Sequence, residues 1–266
     1  MRLVRRSRPT FNGVSNTPIV QLHGVTKWFD ATDALTATDL SIAPGSFVSI
    51  VGPSGCGKST LFNIISGLTA PTSGSVVVDQ RDVTGSAGHV GYMLQKDLLV
   101  PWRTVVGNIT LGSALRGGVT QEDVEEAVAI ATKYGLGEFL DHYPAALSGG
   151  MRQRVAFMRT LASRHQVLLL DEPFGALDAQ TRFAMQEWLL EVWRDTGRTV
   201  LFITHDVDEA LFLSDRVLVM SPRPGRLVDD FAVELVRPRS LETLTEPRFM
   251  ELKQRVLRHL HDGSDG

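Results

Sequence analysis

A glycine-rich stretch in the first quarter of the chain has the residue types that hold a polyphosphate. It runs from Gly52 to Thr60 with the sequence Gly-Pro-Ser-Gly-Cys-Gly-Lys-Ser-Thr, between the apolar run 47–51 and the helix-like segment 61–65. The glycines let the backbone curl until successive N–H groups face one concavity, and the positive end of the following helix adds to the attraction. The pattern predicts a phosphate-binding loop between a buried strand and a helix.

Three side chains of this loop have predicted roles at a bound nucleotide. The Lys58 ammonium would reach the terminal phosphates, and the Ser59 hydroxyl would coordinate Mg²⁺. Thr60 could bond a phosphate nearer the sugar. The remaining nucleotide contacts are expected from the rest of the loop, which consists of Gly52, Pro53, Ser54, Gly55, Cys56 and Gly57.

Three further predicted strands each end in polar residues. Gln95 follows the strand-like segment 89–94, Asp171 and Glu172 come at the end of the apolar run 167–170, and His205 follows 199–203. Alone, Gln95 would be read as a surface residue and His205 as a structural histidine. Because parallel strands of an open α/β sheet end at one edge, these side chains are expected to converge. Adjacent carboxylates there suit one group that fixes hydrated Mg²⁺ and another that polarises a water.

The composition bounds the class of protein. The 266 residues are 43% hydrophobic, which is ample for a large α/β core, and the net charge of -3 gives no general attraction to nucleic acid or anionic lipid. The one cysteine, Cys56, excludes an internal disulfide and a cysteine-based metal cluster. No apolar run is long enough to cross a bilayer, and the polar residues that follow the basic start do not form a signal peptide.

The chain divides into three predicted parts. Residues 1–17 lack periodicity and are expected to be a mobile tail, with a membrane- or RNA-binding arm as the alternative. Residues 18–240 form an α/β domain that contains antiparallel strands at 19–22 and 37–42 and an inserted helical subdomain at about 100–163, with one helix at 104–115 and another capped by Thr120. Residues 241–266 form an amphipathic helix, which we expect to pack on the core, and a frayed end. The last clear core strand is 216–220.

Two local patterns leave alternatives open. Trp28 or Phe29, in the segment expected to join the two antiparallel strands, could stack on an adenine, although core packing is favoured from the local pattern alone. Ser148, Gly149 and Gly150 precede a helix that extends to about residue 163. Such a start presents a hydroxyl and free N–H groups to an anion, but a plain helix cap is the favoured interpretation of that pattern by itself.

The motifs in this order resemble those of the ATP-binding-cassette (ABC) ATPases, over about residues 19–238. Leu-Ser-Gly-Gly at 147–150, ahead of an apolar strand and Asp-Glu-Pro at 171–173, is far more specific than the phosphate-binding loop, which occurs in many families. The resemblance implies an ATPase that uses ATP and Mg²⁺. The implied fold is α/β, a P-loop NTPase core with a mixed sheet and flanking helices, plus an antiparallel β subdomain and an inserted helical subdomain.

The resemblance also implies roles for single residues. Gln95 resembles the glutamine that touches Mg²⁺ and senses the γ-phosphate, Asp171 the Walker B aspartate, and Glu172 the general base that orients the attacking water. The residue that resembles the switch histidine at the γ-phosphate is His205, and the one that resembles the D-loop aspartate, which communicates across a dimer, is Asp178.

Ser148, Gly149 and Gly150 resemble the signature motif, which completes the ATP site of a second copy in a head-to-tail dimer. Two positions depart from the family pattern. Met151 replaces a frequent glutamine, which leaves the phosphate-facing serine and glycines intact. The adenine-stacking position aligns with Phe29, next to Trp28, where the family usually has tyrosine; we choose Phe29.

Two motifs resemble the nitrate, sulfonate and taurine branch of bacterial importers: Leu-Leu-Val-Pro-Trp-Arg-Thr-Val at 98–105 and Ser-Pro-Arg-Pro-Gly-Arg at 221–226. This implies a subunit at the cytoplasmic face of the inner membrane that docks on a separate permease, works indirectly with an extracytoplasmic solute-binding protein, and binds no nucleic acid. The alternatives are another importer branch, an exporter, or a soluble non-transport ABC protein. Trp102 and Pro101 could line a groove for a permease helix, or Trp102 could pack in the core.

Overall fold

The computed structural model describes residues 17–30 and 32–262, without the side chain of the last residue. The predicted tail, apart from its last residue, and the predicted frayed end at 263–266 lie outside the described residues. Within them, ten strands form two sheets. The strands are β1 (Val20–Phe29), β2 (Thr32–Ile42), β3 (Phe47–Val51), β4 (Ser73–Val78), β5 (Arg81–Asp82), β6 (Gly91–Met93), β7 (Val167–Asp171), β8 (Thr199–Ile203), β9 (Arg216–Met220) and β10 (Leu227–Ala232).

Eight α-helices flank the sheets in the described part of the chain. They are α1 (Lys58–Ile65), α2 (Val105–Ile109), α3 (Leu111–Leu115), α4 (Gln121–Lys133), α5 (Gly149–Leu161), α6 (Ala179–Thr196), α7 (Val207–Leu213) and α8 (Pro247–Asp262).

The larger sheet has six strands in the order β10-β9-β3-β8-β7-β6. All neighbours in it are parallel except β10, which pairs antiparallel with β9. Every residue of β3, β7 and β8 is buried. Parallel strands covered on both faces consist of continuous apolar runs, which is why the sequence predicts these central strands within a residue of their observed ends.

The smaller sheet is antiparallel, with the order β2-β1-β4-β5. The sequence places 27–30 in the connection between the first two strands, and this is wrong for residues 27–29, because β1 continues to Phe29 and pairs there with Thr32. The register of β1 with β2 shifts between Leu22 and Val25 and again before Trp28. Such bulges break the alternation of apolar and polar residues, so the end of the strand has no clear sequence pattern.

The charged edge strand β10 follows β9, which the sequence gives as the last clear core strand. Arg216 on β9 donates to Asp230, and Arg255 on α8 donates to Asp229 through two bonds of 2.7 Å each. Paired charges therefore replace the apolar residues by which a strand is normally predicted. Phe249, Leu252 and Val256 of α8 are at most 3% exposed and join a cluster with α7 and β9, so the predicted packing of the last helix is confirmed.

The segment between β6 and β7 is helical in all its regular elements, α2 to α5, as the sequence predicts. The single helix expected at 104–115 is in fact two, which meet at Thr110. The Thr110 hydroxyl donates back to the carbonyl of Val106, and Gly107 and Gly112 lower the helix propensity on either side. The start of α4 is as predicted, since Thr120 and Asp123 form a reciprocal capping box.

Candidate functional site

The glycine-rich loop joins β3 to α1, as predicted, and its backbone conformation requires glycine. Gly55 and Gly57 have φ of 76° and 106°, in the left-handed region. A Cβ at Gly57 would lie 2.9 Å from the carbonyl oxygen of Ala34. In the described residues no side chain caps the N-terminus of α1. Its first N–H groups therefore remain available to an anion held in the loop.

Lys58 is the first residue of α1 and lies folded back over the loop. The side chain is buried, and Nζ donates to the carbonyl oxygens of Gly52 at 2.8 Å and Pro53 at 2.9 Å. A buried ammonium needs such partners. The carbonyls hold the charge at the mouth of the loop, where it can neutralise a terminal phosphate.

The three predicted strand ends meet at one carboxylate. Gln95, just after β6, donates from Nε2 to Glu172 Oε2 at 3.1 Å, and Nδ1 of His205, just after β8, lies 3.3 Å from the same oxygen. Glu172 has φ of 45°, and its backbone N–H donates to the carbonyl of Ile203 at 2.9 Å. The convergence expected from the sequence is thus present.

Asp171 is the last residue of β7 and is 6% exposed. Burial raises the pKa of this carboxyl, and a hydrogen bond from the Ser59 side chain acts against that rise. The Tyr92 hydroxyl lies 3.4 Å from Asp171 Oδ2, and the pKa of Tyr92 is raised by burial and then by the charge of Asp171. The tyrosine therefore remains a proton donor to the carboxylate.

The oxygen atoms of Asp171 and Ser59 fit Mg²⁺. This ion takes hard oxygen ligands, keeps several waters and shares its remaining sites with substrate phosphates, so it needs only one or two protein side chains. The described residues contain no cluster of three or more His, Cys, Asp or Glu residues suited to a metal, so a dedicated all-protein cage is not what the site provides. The side chains lie beside the phosphate-binding loop, since Ser59 is the second residue of α1.

Sequence reasoning missed two contacts at this site. Arg223, in the turn after β9, donates to the carbonyl oxygen of Gly55 at 3.1 Å, and a Cβ at Gly225 would lie 2.0 Å from the carbonyl oxygen of Cys56. This turn therefore packs against the outer side of the phosphate-binding loop. The sequence gives this segment as a Pro-Arg-Pro-Gly turn within the motif at 221–226, and neither pattern predicts the contact. The Tyr92 contact with Asp171 had no signal in the sequence.

Ser148 and Asp178 are both helix caps. Ser148 Oγ accepts from the Met151 N–H at 3.2 Å at the start of α5, and Gly149 and Gly150 follow it in the first turn. Asp178 accepts from the side chain and the N–H of Thr181 at the start of α6, and these bonds hold its pKa below the usual value. Both residues are exposed. Within a single chain, the interpretation of Ser148 as a plain helix cap is therefore correct.

The exposed aromatic residues settle two local alternatives. Trp28 is 60% and Phe29 47% exposed, so core packing of either ring, favoured from the local pattern, is wrong. The Lys27 ammonium lies 4.8 Å from the centroid of the Phe29 ring. Trp102 is 78% exposed, so it does not pack in the core either. Among the helices of residues 17–30 and 32–262, none has the length and apolar character needed to cross a bilayer.

A phosphate-binding loop that leads from a buried parallel strand into a helix, with carboxylates at the end of a nearby strand, is typical of P-loop nucleotide-binding proteins. The family model described as ABC transporter matches residues 35–175, and the chain belongs to this family. It is accordingly an ATPase that uses ATP and Mg²⁺.

Relatives match nearly the whole chain. An uncharacterized ABC transporter ATP-binding protein of Methanocaldococcus jannaschii is 43% identical over 247 residues, which cover 91% of this chain and 91% of the relative. A taurine import ATP-binding protein, TauB, of Rhizobium johnstonii is 44% identical over 238 residues, covering 87% and 90%. The TauB of Yersinia pestis is 44% identical over 211 residues, covering 79% and 83%.

Solved structures confirm the fold. The ATP-binding cassette MJ0796, in a dimeric post-hydrolysis state bound to ADP and Pi, superposes with a TM-score of 0.69 and 32% identity over 82% of this chain and all of that one. The cbiO1 protein of Clostridium perfringens, part of the ABC transporter complex cbiONQ, gives 0.75 and 25% identity, covering 92% and 98%. The predicted α/β fold with a mixed and an antiparallel sheet is therefore correct.

Proposed function

We propose that this ATPase powers the import of a small anionic solute of the sulfonate type through a separate membrane permease, from a peripheral position at the cytoplasmic face of the membrane. Support comes from the similarity to taurine import proteins over most of the chain. The two motifs at 98–105 and 221–226 suggest the same branch. The solute itself would be delivered by an extracytoplasmic binding protein and would not touch this chain.

The proposed mechanism of ATP hydrolysis depends mainly on one observation: the side chains of Gln95 and His205 both contact the Glu172 carboxylate. In the proposed reaction Glu172 orients the attacking water and accepts its proton, while Gln95 and His205 face the terminal phosphate. Lys58 and the loop N–H groups bind the phosphates, and Asp171 and Ser59 hold Mg²⁺. The bound Mg²⁺ supplies charge neutralisation at the β- and γ-phosphate oxygens.

A second copy of the chain completes each ATP site in this proposal. Ser148 is an exposed N-cap, followed by the half-buried Gly149 and the buried Gly150, and the N–H groups of such a helix start suit an anion. Asp178 is exposed at the start of a neighbouring helix. A head-to-tail pair would bring the Ser148 region of one chain to the phosphate-binding loop of the other. The cassette MJ0796, which this chain resembles, was solved as a dimer with ADP and Pi.

The adenine would stack on Phe29. Both aromatic rings at the end of β1 are exposed, but the Lys27 ammonium lies over the Phe29 ring and donates to the carbonyl of Ala70 at 2.8 Å, which limits the motion of that ring. A ring held in place loses less entropy when it stacks on a base than a free one does.

The permease would dock beside Gln95. Leu98 is 53% and Trp102 78% exposed on the segment that leads from β6 into the helical region. Exposed apolar side chains in a short segment suit the apolar face of a partner helix. A permease helix bound there would lie a few residues from Gln95 and could influence the position of that side chain at the terminal phosphate.

The composite site is tested by mixing two impaired variants. Each ATP site of the proposed dimer takes Glu172 from one chain and Ser148 from the other. In a pair of one Ser148→Arg chain and one Glu172→Gln chain, one site has both changes and the other site has neither. Single-turnover ATP cleavage should be slower by about 10² or more in each variant alone. It should become fast again at one site of each mixed pair when the two variants are combined. Mixtures that remain slow while both variants bind ATP would overturn the head-to-tail arrangement.

The transport part is tested by purification from detergent-solubilised membranes of the source cell. The tagged chain should retain a permease that spans the membrane several times, and Trp102→Glu should lose it while ATP binding is unchanged. Glu191→Gln, a change at an exposed position on α6, is the matched control. Recovery with ribosomal or DNA-repair proteins instead would leave the ATPase chemistry intact and overturn transport.

A further inference from the structure

Tyr92 on β6 connects three elements of the ATP site. Its ring is half-buried, and its hydroxyl oxygen lies 3.2 Å from Asn63 Oδ1 on α1 and 3.4 Å from Asp171 Oδ2 on β7. The side chain thus spans from the sheet to the helix that follows the phosphate-binding loop. The roles proposed above leave this tyrosine unused.

Packing fixes the hydroxyl in this position. The Tyr92 ring makes an edge contact with Phe62, with centroids 6.0 Å apart and planes at 81°. Phe62 is fully buried on α1, and β6 pairs in parallel with β7 through Tyr92 and Leu169. The ring therefore cannot swing away without disturbing the contact between α1 and the sheet.

A count of protons gives the direction of the bonds. The phenol has one proton, whereas two oxygen atoms lie within reach of it. An ionised Asp171 can only accept, so the proton belongs on that bond. The Asn63 carboxamide can turn by 180°, which places its N–H₂ group beside the phenol oxygen. Asn63 then donates to Tyr92, and Tyr92 donates to Asp171, so the single phenol proton is compatible with both contacts.

We propose that Tyr92 is a positioning residue that holds the Asp171 carboxylate in the orientation required for Mg²⁺. This inference rests on the proposed metal role of Asp171 and Ser59. The Ser59 side chain also bonds to Asp171. The Ser59 oxygen can ligate the metal through a lone pair while its proton stays on Asp171, so Tyr92 is a second side-chain donor that fixes the same carboxylate from the sheet. Residues that hydrogen-bond to a metal ligand, without contacting the metal themselves, control metal affinity.

The test uses Tyr92→Phe, which deletes one hydroxyl and keeps the ring that packs on Phe62. Tyr134→Phe is the matched control, because the Tyr134 hydroxyl donates to Asp195 at 3.2 Å and its ring packs edge-on against Trp188 in a region without proposed nucleotide contacts. Mn²⁺ affinity would be measured from the electron paramagnetic resonance signal of free Mn²⁺. ADP would be present, with the protein in excess over the ADP.

Tyr92→Phe should weaken Mn²⁺ binding about tenfold, the lower end of the range for a lost bond to a metal ligand, and Tyr134→Phe should leave it unchanged. ADP affinity in EDTA should be the same in both variants, because only the metal is affected. Unchanged Mn²⁺ affinity in Tyr92→Phe, together with a large loss in Asp171→Asn, would overturn the role of Tyr92 alone. No loss in either variant would overturn the metal assignment and this inference with it.

Discussion

The edge of the large sheet and the starts of α5 and α6 both have polar residues of the proposed ATP site, but the two regions differ in what those residues contact. At the sheet edge, Gln95 and His205 reach the same carboxylate oxygen of Glu172. At the helix starts, Ser148 and Asp178 bond to the first turn of their own helices and are otherwise exposed.

This difference indicates what a single chain can do. The sheet edge is assembled from residues far apart in sequence and is complete when the chain folds. The helix starts are formed locally and still have exposed polar groups to offer. A chain with these two regions is expected to bind ATP alone and to need a second copy for efficient hydrolysis, which the following predictions examine.

The largest effect is expected at the sheet edge. Glu172→Gln keeps the shape of the side chain and removes the proton acceptor, so ATP turnover should fall by a factor of about 10² to 10⁴, the usual contribution of a general base, while ATP still binds. Phosphate release in steady state measures the loss. The exposed Glu191 on α6 provides the control variant Glu191→Gln. Normal turnover of Glu172→Gln would show that the assembled edge does not contain the general base.

A slightly smaller effect is expected at the start of α5. Ser148→Arg puts a bulky cation in place of a phosphate-facing hydroxyl, so turnover should fall by about 10² or more, similar to the loss of a transition-state donor, with ATP affinity unchanged. Thr120→Arg is the control, since Thr120 is the exposed N-cap of α4 in the same helical region. If both variants lose the same activity, helix capping alone explains the effect, and the contrast between the two regions disappears.

The adenine site should depend on one ring of the two. Phe29→Ala should weaken ATP binding by about 1–3 kcal/mol, the value of one base stacked on an aromatic side chain, and Trp28→Ala should change it little. Calorimetric titration of ATP in EDTA separates this effect from that of the metal. The opposite order of the two variants would move the adenine to Trp28 and would extend the site to the other face of β1.

The ion pairs between β10 and α8 belong neither to the sheet edge nor to the helix starts, so a change there should affect stability alone. Asp229 is bonded to Arg255 and lies 3.1 Å from His259, and the bond to Arg255 holds its pKa below the usual 3.8. Asp229→Asn should lower the free energy of unfolding by about 1–3 kcal/mol, as expected for bonds to a charged group, with turnover unchanged at room temperature.

The pH dependence of this effect has a defined sign. A lowered pKa in the folded state means that the unfolded state binds the proton more readily, so the stabilisation is complete above the unfolded pKa and is lost as the pH falls through the folded one. Urea unfolding curves of Asp229→Asn and of the unchanged chain should therefore differ near neutral pH and converge well below pH 3.8. A constant difference down to low pH would show that the Asp229 charge is not what stabilises β10 against α8.

The sequence predicts the sheet edge well because buried parallel strands consist of apolar runs that are easy to recognise. Parallel strands end at the same edge of the sheet, so the polar residues after three such runs lie close together. It predicts β1 and β10 poorly, since bulges and charge pairs disturb the patterns by which strands are recognised. The break at Thr110 was missed because two glycines lower helix propensity without abolishing it.

Single contacts from distant elements could not be predicted at all. Tyr92 belongs to no motif, and the motif at 221–226 that contains Arg223 does not predict its contact with Gly55. Only the packing of β6 against α1 and of the turn after β9 against Gly55 brings these residues to the site. Core packing of Trp28 and Phe29 was wrongly favoured from the local pattern, because an exposed aromatic side chain has the same sequence signal as one that packs in the core.

The left-handed backbone of Glu172 means that the proposed general base lies at a position where the fold would be better served by another residue. A non-glycine side chain at φ of 45° is held there against a conformational cost of about 1–3 kcal/mol. Glycine at this position would relieve that cost, less the roughly 0.5–1 kcal/mol of extra entropy that it gives the unfolded chain, and would remove the proposed general base. On that proposal, selection for thermal stability alone, without a screen for turnover, would tend to reduce the activity of this enzyme.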